Sequence, residues 1–382
     1  MTDNRYRRLP VGIQSFKVIR EENYLYVDKS DIVWNMVNLG DKYNYLSRPR
    51  RFGKSVLVDT LESYLEGRKD LFEGLKIMQM EKDWKHYPVI RLDMSRGGAN
   101  EETLRSYLNL RFKDYEEKYN ITPDPTAMLA DRFHAIIATA YKQTGLRVAV
   151  LIDEYDSPLQ HSWRTPEHEK CTGVYREVFA ILKADDEYEH FVFITGITKF
   201  TQISLFSVLN NLSNISFTPE YAAICGITED EIEENFMPEI RQMSEANNWS
   251  VQETHDRLKA YYDGYHFSRR NMVDVYNPYS LVNALKSKEI INFWASSGAT
   301  SLLPKFVDNA ELRMKSFENC RIMRNTLELS DVSGGGAELF LYQSGYLTIK
   351  DSDEFGYILG FPNEEVKQAL YEYYGEDLTA GR

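Results

Sequence analysis

Residues Tyr43–Leu57 read YNYLSRPRRFGKSVL. A short apolar strand, Tyr43–Leu46, runs into a tight basic turn, and a helix opens near Lys54. Gly53-Lys54-Ser55 has the form of the end of a phosphate-binding loop. In such a loop backbone N–H groups cradle phosphates, the lysine reaches the β- and γ-phosphates, and the serine hydroxyl holds Mg²⁺. The full pattern, G-x-x-x-x-G-K-[ST], requires glycine at position 48. This chain has Arg48 there, followed by Pro49, Arg50 and Arg51. Neither arginine nor proline supplies the backbone freedom of the missing glycine, so the first turn of the loop must differ. The phosphate-binding candidates are therefore Arg48, Pro49, Arg50, Arg51, Phe52, Gly53, Lys54, Ser55 and Val56. The competing reading is a basic turn that binds nothing. The strand before the motif and the helix after it favour the loop.

A second stretch, Val148–Asp156 (VAVLIDEYD), belongs with the first. Its almost uninterrupted apolar run is what a strand buried on both faces of a parallel sheet requires. Its acidic end falls where ligands bind in open α/β sheets, at the carboxyl ends of the strands. Asp153 is placed to hold Mg²⁺ through its water shell, with Ser55 as the other metal residue. Glu154 is placed to polarise an attacking water, and so stands with Lys54 as a catalytic candidate. The bland alternative is an exposed acidic strand end. In Phe191–Lys199 (FVFITGITK), Thr195 at the end of another buried strand is a candidate γ-phosphate sensor. Thr198 and Lys199 are weaker ones, and a threonine capping a strand end is the plain alternative. Asp93 could support the same site or cap its own strand, and His266 could reach it from the second half of the chain.

Composition bounds the rest. The chain has 382 residues, long enough for two domains, and a net charge of −13. That balance argues against a nucleic-acid-binding surface over the whole molecule, yet makes the arginine cluster a sharper anion signal. No apolar run is long enough for a transmembrane helix, and no secretory signal is read. Three separated cysteines, Cys171, Cys225 and Cys320, lack metal-ligand spacing and suit a reduced, cytoplasmic setting. There is no CxxC, HExxH or GxGxxG motif.

Strands expected at Tyr43–Leu46, Pro88–Met94, Val148–Asp153 and Phe191–Thr195 alternate with helices. The pattern predicts an α/β fold, a doubly wound parallel sheet with helices on both faces, over residues 1–225. The stretch Leu9–Phe16 reads as a loop. After Thr218 the composition shifts, and Thr228-x-x-Glu231 is a capping box opening a mostly helical region. Gly334–Gly336 reads as a loop, and Leu339–Ile349 with Tyr357–Leu359 as a late hairpin. Residues 226–365 are thus expected to form a second, mostly helical, winged-helix-like domain. Residues 366–382 are expected to be a linker or the start of a further domain.

With these residues placed, the chain resembles the AAA-ATPase-like family. These are bacterial proteins in which a P-loop NTPase domain often precedes a C-terminal PD-(D/E)xK nuclease-like domain. The resemblance rests on LPVGIQSF (9–16), YVDKS (26–30), SRPRRFGKS (47–55), LIDEYDSPL (151–159), ITGITKF (194–200), YDGYHF (262–267), VYNPYSLVNAL (275–285), FWASSGAT (293–300), SGYLTI (344–349) and FPNEEV (361–366). It implies a P-loop core of the additional-strand type, with RPRRFGKS as the family's own loop. It implies ATP and Mg²⁺ as cofactors, with Lys54 and Ser55 on phosphate and metal, Asp153 as the second metal residue and Glu154 as the base. The nuclease-like domain would begin soon after FPNEEV, and no complete nuclease core is read here. The expected function is a Mg²⁺-dependent ATPase acting as a nucleotide-driven switch. Alternatives are an ATP-binding sensor or scaffold without significant turnover, or a regulatory module for nucleic-acid processing. Self-association or a protein partner stays open; nucleic acid through this chain alone and a membrane are not expected.

Overall fold

The computed structural model describes residues 8–124, 126–200, 212–296, 302–307, 317–330 and 336–379. Five parallel strands form the main sheet: β1 (Tyr43–Ser47), β2 (Val89–Asp93), β3 (Val148–Asp153), β4 (Glu189–Gly196) and β5 (Ser213–Asn214), in the order β2-β3-β4-β1-β5. All six residues of β3 are buried, because helices cover both faces of the sheet. The order matters for the site. β1 leads into the Arg48–Gly53 loop and β3 ends at Asp153, yet β4 lies between them, with Leu46 opposite Thr195 and Ile152 opposite Ile194. This is the additional-strand arrangement expected from the resemblance.

Before the sheet come two helices, α1 (Phe16–Glu21) and α2 (Ser30–Asn38). The first begins at the end of the expected Leu9–Phe16 loop, where Ser15 caps it by accepting from the Val18 N–H. The Arg48–Gly53 loop feeds α3 (Lys54–Leu65), whose Leu57, Val58, Leu61 and Leu65 are buried. Helices Glu101–Lys118 and Leu129–Thr144 precede β3, and helix Glu167–Phe179 follows it.

Beyond the sheet the chain is mostly helical, with helices Glu229–Asn235, Met237–Asn247, Val251–Tyr262 and Pro278–Ser287. The capping box at Thr228 and Glu231 is present in both directions. These helices share a core of their own that includes Ile232, Phe236, Ile240, Leu258, Tyr262 and Leu281, joined by Leu25 from the N-terminal segment. A three-stranded antiparallel sheet follows, β6 (Cys320–Met323), β7 (Thr348–Ser352) and β8 (Gly356–Gly360), in the order β6-β8-β7. Helices Arg324–Leu329 and Gly336–Ser344 lie between β6 and β7, so the order strand, helix, helix, hairpin is winged-helix-like.

Two expectations are corrected here. Leu339–Ser344 is helix rather than the first arm of a hairpin, and β6 supplies a third strand. A continuous apolar run such as LFLY fits a buried helix as well as a strand, and here the helix buries every residue from Leu339 to Ser344. The hairpin's apolar residues, Ile349, Tyr357 and Leu359, join the core of the main sheet rather than that of the neighbouring helices. Residues 366–382 are expected to be a linker or the start of a further domain; against the first of these, they begin inside a helix, Glu364–Thr379, whose Val366, Ala369 and Leu370 are buried in the same core. The glycines Gly334 and Gly335 and the last three residues lie outside the described residues. Among the described residues no helix is long and apolar enough to cross a membrane.

Candidate nucleotide site

The loop between β1 and α3 makes its turns at Arg51 and Gly53, with φ of +65° and +90°. The left-handed conformation that the general pattern assigns to early glycine is thus carried partly by an arginine, at a cost on the order of 1 kcal/mol. Gly53 is the residue before the helix and has open space where a Cβ would lie, so its φ rather than crowding makes glycine suitable.

Lys54 is buried, and its Nζ donates to the carbonyls of Arg48 at 2.9 Å and Pro49 at 2.8 Å. Burial pushes its ammonium below the ordinary lysine range, while Glu154, Asp153 and Asp156 oppose that shift. Burial raises the Asp153 carboxyl, and the nearby Ser55 hydroxyl and Lys54 ammonium counter the rise. Glu154 sits at φ +46°, a strained position for a side chain with a Cβ, and its N–H donates to Asp153 Oδ1 at 2.9 Å. Burial raises the Glu154 carboxyl, with Lys54 pulling it down and Asp153, Asp156 and Asp93 adding to the rise. So the two motifs meet: Lys54 and Ser55 at the start of α3 face Asp153 and Glu154 at the end of β3.

Of these groups Lys54, Ser55 and Glu154 border a cavity of about 590 Å³, and Asp153 lies behind its lining. Arg50, Arg51, Phe52, Gly53 and Val56 line it with them. The rest of the lining was not legible in the motifs. It is formed by Pro10–Gln14, by Leu25–Val27 and Lys29, and by Pro278, Tyr279, Val282 and Asn283 of a distant helix. Lys29 there pairs with Glu231 at 2.6 Å and ties the N-terminal segment to the helical region. The Ser55 hydroxyl near the Asp153 carboxylate suits Mg²⁺, which keeps most of its waters and takes few protein oxygens. Among the described residues no group of three or more His, Cys, Asp or Glu side chains could hold a metal by itself.

The side chains of the other candidates are committed to partners within the protein. Arg48 is 1% exposed, and its guanidinium is turned away from the cavity. Nη1 donates to the carbonyls of Ser47 at 2.8 Å and Ser216 at 3.0 Å, Nη2 donates to that of Tyr221 at 2.9 Å, and the group lies 4.1 Å from the centroid of the Phe267 ring. Its side chain is a structural plug that supplies a donor to each of these carbonyls, although that of Tyr221 also accepts from the Ile224 N–H at 3.2 Å. Pro49 faces Gly345, where an added Cβ would meet the proline Cβ at 2.6 Å. Phe52 is fully buried edge-on against Tyr265 at 4.7 Å and Phe267 at 5.4 Å. Thr195 is buried and its hydroxyl donates to the Leu46 carbonyl at 2.7 Å, which commits it to the neighbouring strand. Thr198 donates to Asp156 at 2.6 Å, and Lys199 Nζ to the Glu328 carbonyl at 3.0 Å. Asp93 caps its own strand end through Ser95. His266 lies between Asp274 at 2.8 Å and the Ile349 carbonyl at 3.0 Å, away from the cavity.

Sequence reasoning passed over Asp156. It is 1% exposed and accepts from the N–H groups of Ile197 at 3.0 Å and Thr198 at 2.6 Å. It therefore pins the end of β4 to the end of β3. The only signal for it was a third acidic residue in LIDEYD.

A family model described as Predicted AAA-ATPase matches residues 10–206. A protein of Azotobacter chroococcum mcd 1, described as an uncharacterized protein in the vnfD 5' region, is 32% identical over 375 residues, 96% of this chain and 69% of that protein. Among solved structures, Cdc6p from Pyrobaculum aerophilum is similar over 91% of this chain and 92% of its own, at 12% identity and a TM-score of 0.27, a superposition too loose to carry an argument. Taken with the loop, the paired acidic strand and the strand order, the match over residues 10–206 and the Azotobacter relative show that the chain belongs to the AAA-ATPase-like family.

Proposed function

We propose that this protein binds ATP with Mg²⁺ and hydrolyses it as a nucleotide-driven switch. The observation that supports this best is the meeting of the two motifs at one cavity, where Lys54 and Ser55 from the loop and Glu154 from the acidic strand end share the lining. Ser55 and Asp153 would hold Mg²⁺, which would supply charge neutralisation at the β- and γ-phosphate oxygens. Lys54 would exchange the carbonyls of Arg48 and Pro49 for phosphate oxygens, a stronger, charge-assisted partner. Glu154, with its carboxyl raised by burial, is suited to orient a water and take its proton. The remaining lining, apolar and polar, from Pro10–Gln14 and from Pro278, Val282 and Asn283, is left for the base and ribose.

In this reading residues 1–225 carry the nucleotide and residues 226–365 close over it, since the cavity takes walls from both. Nucleotide-driven modules act by ordering elements around the γ-phosphate and releasing them on hydrolysis. Calorimetric titration with ATP and Mg²⁺ tests binding. Heat with the wild type and none with Lys54→Ala is expected, and no heat with either would refute the proposal. Phosphate release should fall at least a hundredfold in Glu154→Gln, on the usual scale for a positioned base. Binding without phosphate release in the wild type would instead make the chain an ATP-gated sensor.

A further inference from the structure

Arg51 and Phe52 are consecutive, yet they hold different parts of the later chain. Phe52 is buried between Tyr265 and Phe267, an apolar contact that phosphate cannot displace. Arg51 is exposed, and its positive φ sends the side chain the other way. Its guanidinium lies over the ring of Tyr279, 5.1 Å from the centroid. Both residues line the cavity. Tyr279 stands in the first turn of helix Pro278–Ser287, where Asn277 caps the helix by accepting from the Ser280 N–H at 3.1 Å. Leu281, Ala284 and Leu285 bury that helix in the core of the helical region. The contact therefore links the phosphate loop to a rigid element contributed from more than two hundred residues later in the chain.

An exposed cation over a half-buried ring is a weak interaction, and a guanidinium bonded to phosphate oxygens is a stronger one. Both partners border the same space, and one guanidinium cannot satisfy both. We infer that Tyr279 is a positioning residue that competes with the polyphosphate of a nucleoside triphosphate for the Arg51 guanidinium. When phosphates arrive, Arg51 leaves the ring, and the contact between loop and helix is broken. The helix Pro278–Ser287 thereby registers occupancy of the phosphate site. This rests on the phosphate site proposed above, and it adds the contact through which the site reports.

Inorganic tripolyphosphate is the probe, because it removes every effect of a base stacking on Tyr279. Calorimetry would compare wild type, Tyr279→Leu, Tyr279→Phe, Arg51→Ala and the double variant Arg51→Ala/Tyr279→Leu. Leucine keeps the apolar bulk and removes the ring's negative face. Tyr279→Leu should bind tripolyphosphate about two- to fivefold more tightly, the factor set by an exposed cation–ring contact. Tyr279→Phe should match wild type. Arg51→Ala should bind more weakly, and Tyr279→Leu should change nothing in that background. Unchanged or weaker binding by Tyr279→Leu would overturn the inference, as would equal tightening with and without Arg51. Binding of ATP without any binding of tripolyphosphate would overturn this inference alone. Failure of wild type to bind either would overturn the ATP reading as well.

Discussion

Arg48→Met separates a structural arginine from a phosphate-binding one. In the loop pattern position 48 belongs to the phosphate cradle, yet the structure spends this guanidinium on three backbone carbonyls and one ring. Methionine fills most of the volume without the donors. The change leaves the Ser216 carbonyl, 3.0 Å from the guanidinium, without its donor in a closed interior, while the Tyr221 carbonyl loses the bond at 2.9 Å but keeps that from the Ile224 N–H. Hydrogen bonds from a charged donor contribute about 1.5–3 kcal/mol each, and the arginine's own burial offsets part of that, so a net loss of about 2–4 kcal/mol is expected. Burial already pulls the Arg48 pKa down, which fits a group held by geometry rather than by a nearby carboxylate. Urea denaturation followed by tryptophan fluorescence would read the loss as a lower midpoint at unchanged slope. Arg51→Met, at the next arginine but one in the same loop, removes an exposed side chain resting on Tyr279 and should leave the midpoint within about 1 kcal/mol of wild type. A wild-type midpoint for Arg48→Met, with ATP affinity lost, would refute the reasoning and return Arg48 to the phosphate site.

Stability should also depend on pH through buried carboxyls. Burial pushes Glu189, which accepts from the Tyr43 hydroxyl at 2.7 Å, up to about 8, and Glu365 and Asp263 up to about 7 and about 6. Each is raised above its unfolded value, so the folded state holds the extra proton. The stabilisation is full below the unfolded pKa and is lost as pH rises through the folded one. Between pH 5 and 8 Glu189 alone should account for a loss on the order of 3 kcal/mol, and Glu189→Gln should flatten that part of the profile, as urea midpoints across the range would show. Gly345→Ala should destabilise by about 2 kcal/mol or more, since φ is +92° and the new Cβ would meet Pro49 at 2.6 Å. It should weaken ATP binding too, by pushing on the loop, and calorimetry showing full affinity would disconnect Gly345 from the site.

What the sequence made legible is local. VAVLID needs no partner to announce a buried strand, because six successive positions must avoid water. FGKS announces a turn into a helix for similar reasons. The capping box at Thr228 is settled within four residues. What escaped depends on side chains far along the chain. The direction of Arg48 is decided by carbonyls at 216 and 221 and by a ring at 267. Thr195 looks like a sensor from its place at a strand end, but its hydroxyl meets the Leu46 carbonyl because β4 lies beside β1, a fact of topology. The helix at Leu339–Ser344 was hidden by an apolar run that fits two periods. The rest of the cavity lining brings together residues near 12, 27 and 280, which no spacing rule connects.

The basic cluster is best understood as three arginines with three separate tasks. Arg48 is locked beneath the loop, Arg50 faces the cavity from the turn, and Arg51 rests on Tyr279. A glycine-rich loop is free to wrap phosphates because little else holds it. This loop is instead clamped from behind by Arg48, by Pro49 against Gly345 and by Phe52 between Tyr265 and Phe267. Three of those partners, Tyr265, Phe267 and Gly345, come from the second half of the chain, and Tyr265 donates its hydroxyl to the Gly345 carbonyl at 3.2 Å. A displacement of the loop on binding phosphate therefore cannot stay local. Packed interiors transmit such shifts because they have little space in which to absorb them. The exchange of glycine for anchored side chains reduces the loop's own freedom, and in return it ties phosphate occupancy to the helical region and to the hairpin packed beside it.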